Sequence, residues 1–417
     1  MTWSRSAGEA PLYDLAIVGG GLVGCAIAFF AARLGLRVVV LEASTLNRGS
    51  SGSSAGNLHG QILSPVARRY VGSAQAERLT MIARVHLKAV EMWKALPDAI
   101  QSDAWVAHTG GFMVAETAAG AQTLEAKVSY EKAAGLPSTL LSQAEVRRLF
   151  PMLGETVLAA EHCAAEGFAN ALTAGPALAR AARRLGASIE VHSPIRCIER
   201  SGNATTLIGD RENWSASKVV IAAGWQSPLI DVSGAADFAV DKEALQMHVT
   251  GAIGFEPTAV VQHIEDRLTV KRTQFGTWLI GGGWPSTVAP DGSLKVNWDS
   301  VVGNCGLAAR IVPTLRSTPL LRTWPALSAS VGERGVVIGW LDDARSCALA
   351  VPGETGFTLA PLLGCYVAES MVRPGILGAV VDDGMTMLDR WNPGESGAPI
   401  ASDVSSSSLG SFDNGCP

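Results

Sequence analysis

Between Asp14 and Glu42 the chain reads DLAIVGGGLVGCAIAFFAARLGLRVVVLE, an order that prescribes strand, glycine turn, helix and second strand. Leu15–Val18 is a short apolar run. It ends in Gly19-Gly20-Gly21-Leu22-Val23-Gly24, which fits G-x-G-x-x-G, and a helical stretch follows to Gly35. The β-branched run Arg37–Leu41 then closes on Glu42, 23 residues after Gly19. Each part has a physical task. Gly19 permits the tight turn, Gly21 lets a pyrophosphate approach the backbone, and Gly24 lets helix and strand pack closely. The helix N-terminus, with its free N–H groups and partial positive charge, suits phosphate, so Leu22 and Val23 are contact candidates. Glu42, followed by Ala43, is placed to accept hydrogen bonds from a ribose. The stretch predicts a dinucleotide site.

The alternative for Leu15–Ala32, an uncharged run of 18 residues, is a membrane span or a secretion signal. A span needs about 20 predominantly apolar residues, whereas this run is broken by four glycines and followed by Arg33 and Arg37. The glycine turn also interrupts the apolar centre a signal would need. At 417 residues the chain has room for two domains or one large discontinuous one. Only 17% of it is charged, against a typical ~25%, which implies large buried cores. A net charge of −5 gives no basic footprint for nucleic acid. The seven cysteines (25, 163, 197, 305, 347, 365 and 416) have neither C-x-x-C nor metal-ligand spacing. They read as small apolar fillers in a reducing, cytoplasmic compartment, with no metal site.

Residues 1–10 read as a loose arm. After Glu42, residues 43–60 are rich in Ser, Gly and Ala, the composition of a linker, but Asn57-Leu58-His59 and Ile62-Leu63 tie the segment into structure. We therefore read it as a cofactor loop. Helices are expected over 75–95, Ala118–Ala134, from Leu141, Ala171–Gly186, Ser300–Ile311 and Thr358–Val372. Ser142 and Glu145 form a capping box, and Thr358 is placed to cap the last helix. Trp105–Val114 reads as a strand pair around Gly110-Gly111. Further strands are expected at Ser188–His192, Ile195–Arg200, Lys218–Ala223 and Val336–Trp340. Ala244–Gly254, Arg267–Lys271 and Thr277–Gly283 suggest an antiparallel sheet. The tail from Asn392 has the composition of disorder.

With the glycine turn, the Ser/Gly loop, Ala222-Ala223-Gly224 and the helix start Gly356-Phe357-Thr358-Leu359-Ala360-Pro361, the chain resembles the FAD-dependent D-amino-acid oxidase superfamily. The resemblance covers roughly residues 12–375. It falls in the branch of glycine and sarcosine oxidases and of opine or D-hydroxyproline dehydrogenase catalytic (β) subunits. It implies an α/β (α+β overall) fold: a Rossmann-like FAD domain with a βαβ N-terminus, roofed by a smaller antiparallel substrate domain. The implied divisions are 10–75, 150–230 and 322–390 for FAD and 76–149 and 231–321 for the roof, with a disordered tail over 391–417. It also implies that Ser50, Ser51, Ala55, Gly56, Asn57 and Leu58 run along the pyrophosphate and ribityl. Ile195 would meet the adenine, and Ala223 and Gly224 would lie beside the cofactor. Backbone amides of Gly356, Phe357 and Thr358 would face the flavin's anionic edge; an ordinary capped core helix is the alternative.

Two departures from the family pattern bear on substrate. In Arg322-Thr323-Trp324-Pro325-Ala326-Leu327-Ser328, Ser328 stands where the pattern has its second Arg, the one that clamps a substrate carboxylate. A hydroxyl cannot equal a bidentate guanidinium. The Gly-His before the last helix is Val351-Pro352 here. Other candidates for substrate contact are His59, His248 and His263. One of Lys271 and Arg272 joins them, since period-2 alternation lets only one face the cofactor. A satisfied histidine or a solvated charge pair is the competing reading for these.

The expected function is oxidation of the C–N bond of an amino-acid-like secondary amine, an opine or a D-hydroxyproline. Hydride would pass to N5 of non-covalent FAD, and the imine would hydrolyse in water. The branch implies a larger electron-transfer subunit, a small ferredoxin-like subunit and an FMN at a subunit interface. A simple D-amino-acid, glycine or sarcosine oxidase, or a non-catalytic FAD-holding subunit, are the alternatives. A flavin hydroxylase would carry a late Gly-Asp motif, absent from Val336–Pro361.

Overall fold

The computed structural model describes residues 13–391, apart from 103, 203, 255–257, 374 and 381–382. The expected N-terminal arm lies outside the described residues, as does the tail from Asn392.

The apolar run Tyr13–Val18 forms β1, which pairs in parallel with β2, Val38–Leu41, through the intervening helix α1, Leu22–Arg33. Strands β1 and β2 lie inside a nine-stranded sheet. β1's other neighbour is Asn213–Ile221, which also pairs with Cys347–Pro352, both in parallel. The sheet is thus parallel at its centre, where strands buried on both faces carry apolar side chains on both. Val18, Leu41 and Ile221 end at the same edge, the edge where α/β sheets bind ligands.

Helix α1 is buried almost all round because two helices cover it. The closer is the last long helix, Gly356–Val372. A Cβ at Gly364 would lie 2.6 Å from that of Ala26, so glycine sets this approach. The other is Ala171–Arg184, capped by the Asn170 side chain.

An eight-stranded sheet forms a second layer. Its order runs Leu320–Ser330, Asp241–Ala252, Thr277–Gly281, Thr269–Arg272, Val260–His263, Gly111–Ala115, Ala159–Cys163, Ser138–Ser142. One pair in it, Val260–His263 with Gly111–Ala115, is parallel. Ala159–Cys163 and Leu320–Ser330 belong to this sheet through their pairing, although the sequence divisions assign the first, and the second from Arg322 on, to the FAD domain. The expected Trp105–Val114 strand pair is corrected: Val106–Ala107 pairs with Gly167–Ala169, and Gly111–Ala115 joins the eight-stranded sheet.

Beneath this sheet Lys127 is fully buried between Glu131, four residues on in its helix, and Glu161 of Ala159–Cys163. The Ser138 hydroxyl and the Ile62 amide donate to Glu131 at 2.6 and 2.7 Å. Burial opposes the charge on Lys127, but the two carboxylates overcome it and raise its pKa. Burial likewise drives the Glu161 carboxyl well above the usual carboxylate range.

Candidate functional site

A cavity of about 540 Å³ lies between the two sheets at the ends of β1 and β2. The β1–α1 turn contributes Gly19, Gly21, Leu22 and Val23 to its wall, and the end of β2 contributes Glu42 and Ala43. Ser50, Ser51 and Ala55 line it from the following loop, Ile195 from its strand, and Ala223 and Gly224 from the end of Asn213–Ile221. Gly356 and Phe357 close the far side. These candidates, spread over more than three hundred positions, thus meet in one space.

The glycine turn is shaped by close approach. A Cβ at Gly19, whose φ is +115°, would sit 2.5 Å from the Ala222 carbonyl oxygen. Gly24 lies behind the wall, where a Cβ would overlap the Gly19 carbonyl oxygen. Gly224, at φ +58°, presents an open face with nothing within 4 Å of a Cβ. Glu42 folds back on the turn, accepting from the Gly20 amide at 2.7 Å and the Ser44 amide at 2.8 Å. Each carboxylate oxygen keeps a second lone pair for a hydroxyl. Ser51 accepts from the Leu22 amide at 3.0 Å, docking the Ser/Gly loop on α1. The first-turn amides of α1 have no intrahelical acceptors, and they point to where an anion would sit.

At the opposite wall the Gly356–Val372 helix begins at N-cap Thr355 with no side-chain cap. Thr358 is therefore not the cap. Its hydroxyl accepts from the His59 amide at 2.9 Å and donates to the Asn57 carbonyl at 3.2 Å. Trp93 secures the same turn, donating from Nε1 to the Thr358 carbonyl at 2.9 Å and stacking on Phe357 at 5.2 Å. The first-turn amides are thus held rigidly at the cavity edge. The donor set fits a dinucleotide with a flavin: a helix N-terminus for pyrophosphate, an acid for ribose, and a second helix N-terminus for an anionic ring edge.

The remaining candidates lie behind the wall. Gly56, Asn57 and Leu58 run into a short strand paired with Gly167–Ala169. Lys271 is fully buried there and donates to the Ala55 carbonyl and the Asn57 side chain, with its ammonium 4.3 Å from the Phe168 ring centre. Burial pulls its pKa well below the ordinary lysine value, against the pull of Glu166. Arg272 takes the other face of the strand and donates to the Ile253 carbonyl at 3.2 Å. His59 Nδ1 is 3.3 Å from Glu166, a buried acid that also accepts from Gln262 at 2.6 Å. His248 is fully buried, meets the Thr323 hydroxyl at 2.9 Å, and is held near pKa 4 by burial. His263 accepts from the Glu265 and Asp266 amides and sits 3.2 Å from Glu116, away from the cavity wall.

The roof strands add Leu245, Met247, Trp324, Ala326 and Ser328 to the lining. Glu354, in the loop before the last helix, also lines the cavity. No pattern in the sequence singles it out. Among the described residues no group of His, Cys, Asp or Glu could hold a metal ion, and no helix is long and apolar enough to cross a membrane.

The profile of the FAD dependent oxidoreductase family, DAO, matches residues 14–370. Glycine oxidase of Geobacillus kaustophilus (strain HTA426) is 25% identical over 364 residues, 87% of this chain and 93% of that protein. An opine oxidase subunit of Rhizobium meliloti is 26% identical over 233 residues, 53% of this chain and 59% of its own length. Among solved structures, L-proline dehydrogenase from P. horikoshii shares the fold with TM-score 0.76 at 20% identity, covering 87% of this chain and 94% of that one. The profile spans both walls of the cavity and the roof between them, and the chain belongs to the FAD dependent oxidoreductase (DAO) family.

Proposed function

We propose that this FAD-dependent oxidoreductase oxidises the C–N bond of a secondary amine of the opine or D-hydroxyproline kind, rather than a small primary amino acid. The observation that carries this reading is Ser328. It lines the cavity from Leu320–Ser330, and among the described residues neither that strand nor Asp241–Ala252 brings a Lys or Arg to the lining. A small carboxylate substrate would lack a bidentate partner there, while the space left by a short side chain suits an N-substituent. The similarity to an opine oxidase subunit supports the same choice and the expectation of a partner chain that carries electrons away.

Bound FAD, held without a covalent link, supplies a hydride acceptor. Glu42 holds the ribose and the α1 N-terminus the pyrophosphate. The Phe357 and Thr358 amides of Gly356–Val372 stabilise negative charge at the far edge, while the Gly356 amide is taken by the Gly353 carbonyl. The roof strands exclude water and set the substrate's position. Lys271 and Asn57 fix the loop between these parts, acting on its position and not on the substrate.

Anaerobic mixing of the FAD-loaded protein with amines tests the reading. An opine or a D-hydroxyproline should bleach the flavin, and glycine and D-alanine should not. Fast bleaching by glycine or D-alanine would overturn it, and bleaching by no amine would assign the chain a flavin-holding role.

A further inference from the structure

The roof end of the cavity carries an acid, and among the described residues no Lys or Arg of the roof lines it, although Arg267 attracts that acid from outside the lining. Glu354 projects into it from Pro352–Thr355, a loop pinned by the Gly353 amide on the Gly335 carbonyl at 2.9 Å and the Gly356 amide on the Gly353 carbonyl at 3.0 Å. Its side chain is exposed to solvent, and enough protein surrounds the carboxyl to raise the cost of its charge. Among the described residues no side chain or amide pairs with it. A second acid lies close by. Glu243 stands directly opposite Ser328 in the strand register, and residues opposite one another share a face. That face carries Leu245, Met247, Trp324 and Ala326 into the cavity. The lining's two cations, Arg48 and Arg196, come from the side of the nine-stranded sheet, and Arg196 is bonded to Asp210.

We propose that Glu354 makes this end of the cavity a cation-binding subsite, so that the substrate is an amine bearing a second positively charged group, an ammonium or a guanidinium. The inference rests on the amine-oxidising reading and specifies its substrate class. Where the family pattern has an arginine to hold a carboxylate, this chain offers a hydroxyl at Ser328 and an unpaired carboxylate a short way along the same wall. The electrostatic preference of the site is therefore inverted. Glu354 takes no part in the C–N chemistry; it selects and orients.

Binding separates this proposal from turnover. Isothermal titration of the FAD-loaded protein at pH 8 with propylguanidinium and with butanoate compares a cation and an anion of similar size, neither a substrate. Propylguanidinium should bind at least tenfold more tightly. Glu354→Gln should weaken its binding by about tenfold to a hundredfold, the scale of a charge-assisted pair, while leaving FAD content unchanged and butanoate binding equal or tighter, since a repelling charge is gone. Equal or tighter binding of butanoate, no binding of propylguanidinium, or an unaltered Glu354→Gln variant would each overturn the proposal. The amine-oxidising reading stands or falls separately, on flavin bleaching by the wild type.

Discussion

Thr358 reaches back 299 positions to His59, taking the His59 amide proton at 2.9 Å and passing its own to the Asn57 carbonyl at 3.2 Å. One buried hydroxyl thus sets the height of the last helix against the cofactor loop. Thr358→Val keeps the shape and leaves that amide and carbonyl unpaired, costing about 1–3 kcal/mol. Urea unfolding should show the loss, with weakened FAD binding. An unchanged midpoint would show that the loop is held otherwise.

Glu42 accepts from two amides of the turn and, in the proposed function, from the ribose as well. In Glu42→Gln an NH₂ must face one of the two amide donors, and charge assistance is lost to all partners. The expected cost to FAD binding is about 1.5–3 kcal/mol, a tenfold to hundredfold rise in Kd. Fluorescence titration of apoprotein with FAD measures it directly, and an unaltered Kd would remove Glu42 from the ribose.

Removing the ammonium of Lys127 strands two buried carboxyls. Lys127→Met should cost about 3–5 kcal/mol, the range for breaking a buried ion pair on one side. Replacing Glu161 by Gln in the same chain should recover part of it, because one acid then remains. A stability change under about 1 kcal/mol in the single variant would contradict the buried geometry.

Ser328→Arg adds a long cation to the roof. Flavin bleaching by bulky secondary amines should slow by tenfold or more, and small primary amino acids should gain relative to them. A variant whose preference does not move would place Ser328 outside the substrate space.

Burial raises the Glu354 carboxyl above the usual carboxylate range; Glu243 adds to the rise, and Arg267 and His59 oppose it. The group is charged above its folded pKa and neutral below. Propylguanidinium binding should therefore be full at pH 8 and fall as pH drops through that raised value, about tenfold per unit once below it. A flat profile from pH 8 to 4.5 would mean that another group holds the cation.

Much of this was readable where the signal is local. The glycine turn with Glu42 is contiguous, and so is the Ser142–Glu145 box, whose reciprocal bonds form at 2.8 and 3.4 Å. What failed to show was settled at a distance. Thr358 reads as a cap because a hydroxyl at a helix start usually is one; its partners lie in another segment. Period-2 alternation left Lys271 and Arg272 equivalent, and burial against Ala55 and Asn57 separates them. Lys127 and Glu131 have the spacing of a solvated surface pair, yet both are enclosed. Glu354 is one acid in a loop, and only the cavity gives it meaning.

The close seating of the last long helix on α1 also has a consequence for birth at the ribosome. Residues 13–42 are made some three hundred residues before Gly364, and until then the face of α1 around Ala26 waits to be covered. At roughly 5–20 residues per second the interval is on the order of tens of seconds. Through that time a nascent chain exposes an oily helix and lacks the cavity wall that Gly356 and Phe357 provide. Cofactor capture is thereby deferred until the Gly356–Val372 helix has emerged, and a chain cut short before Gly356 should be born colourless.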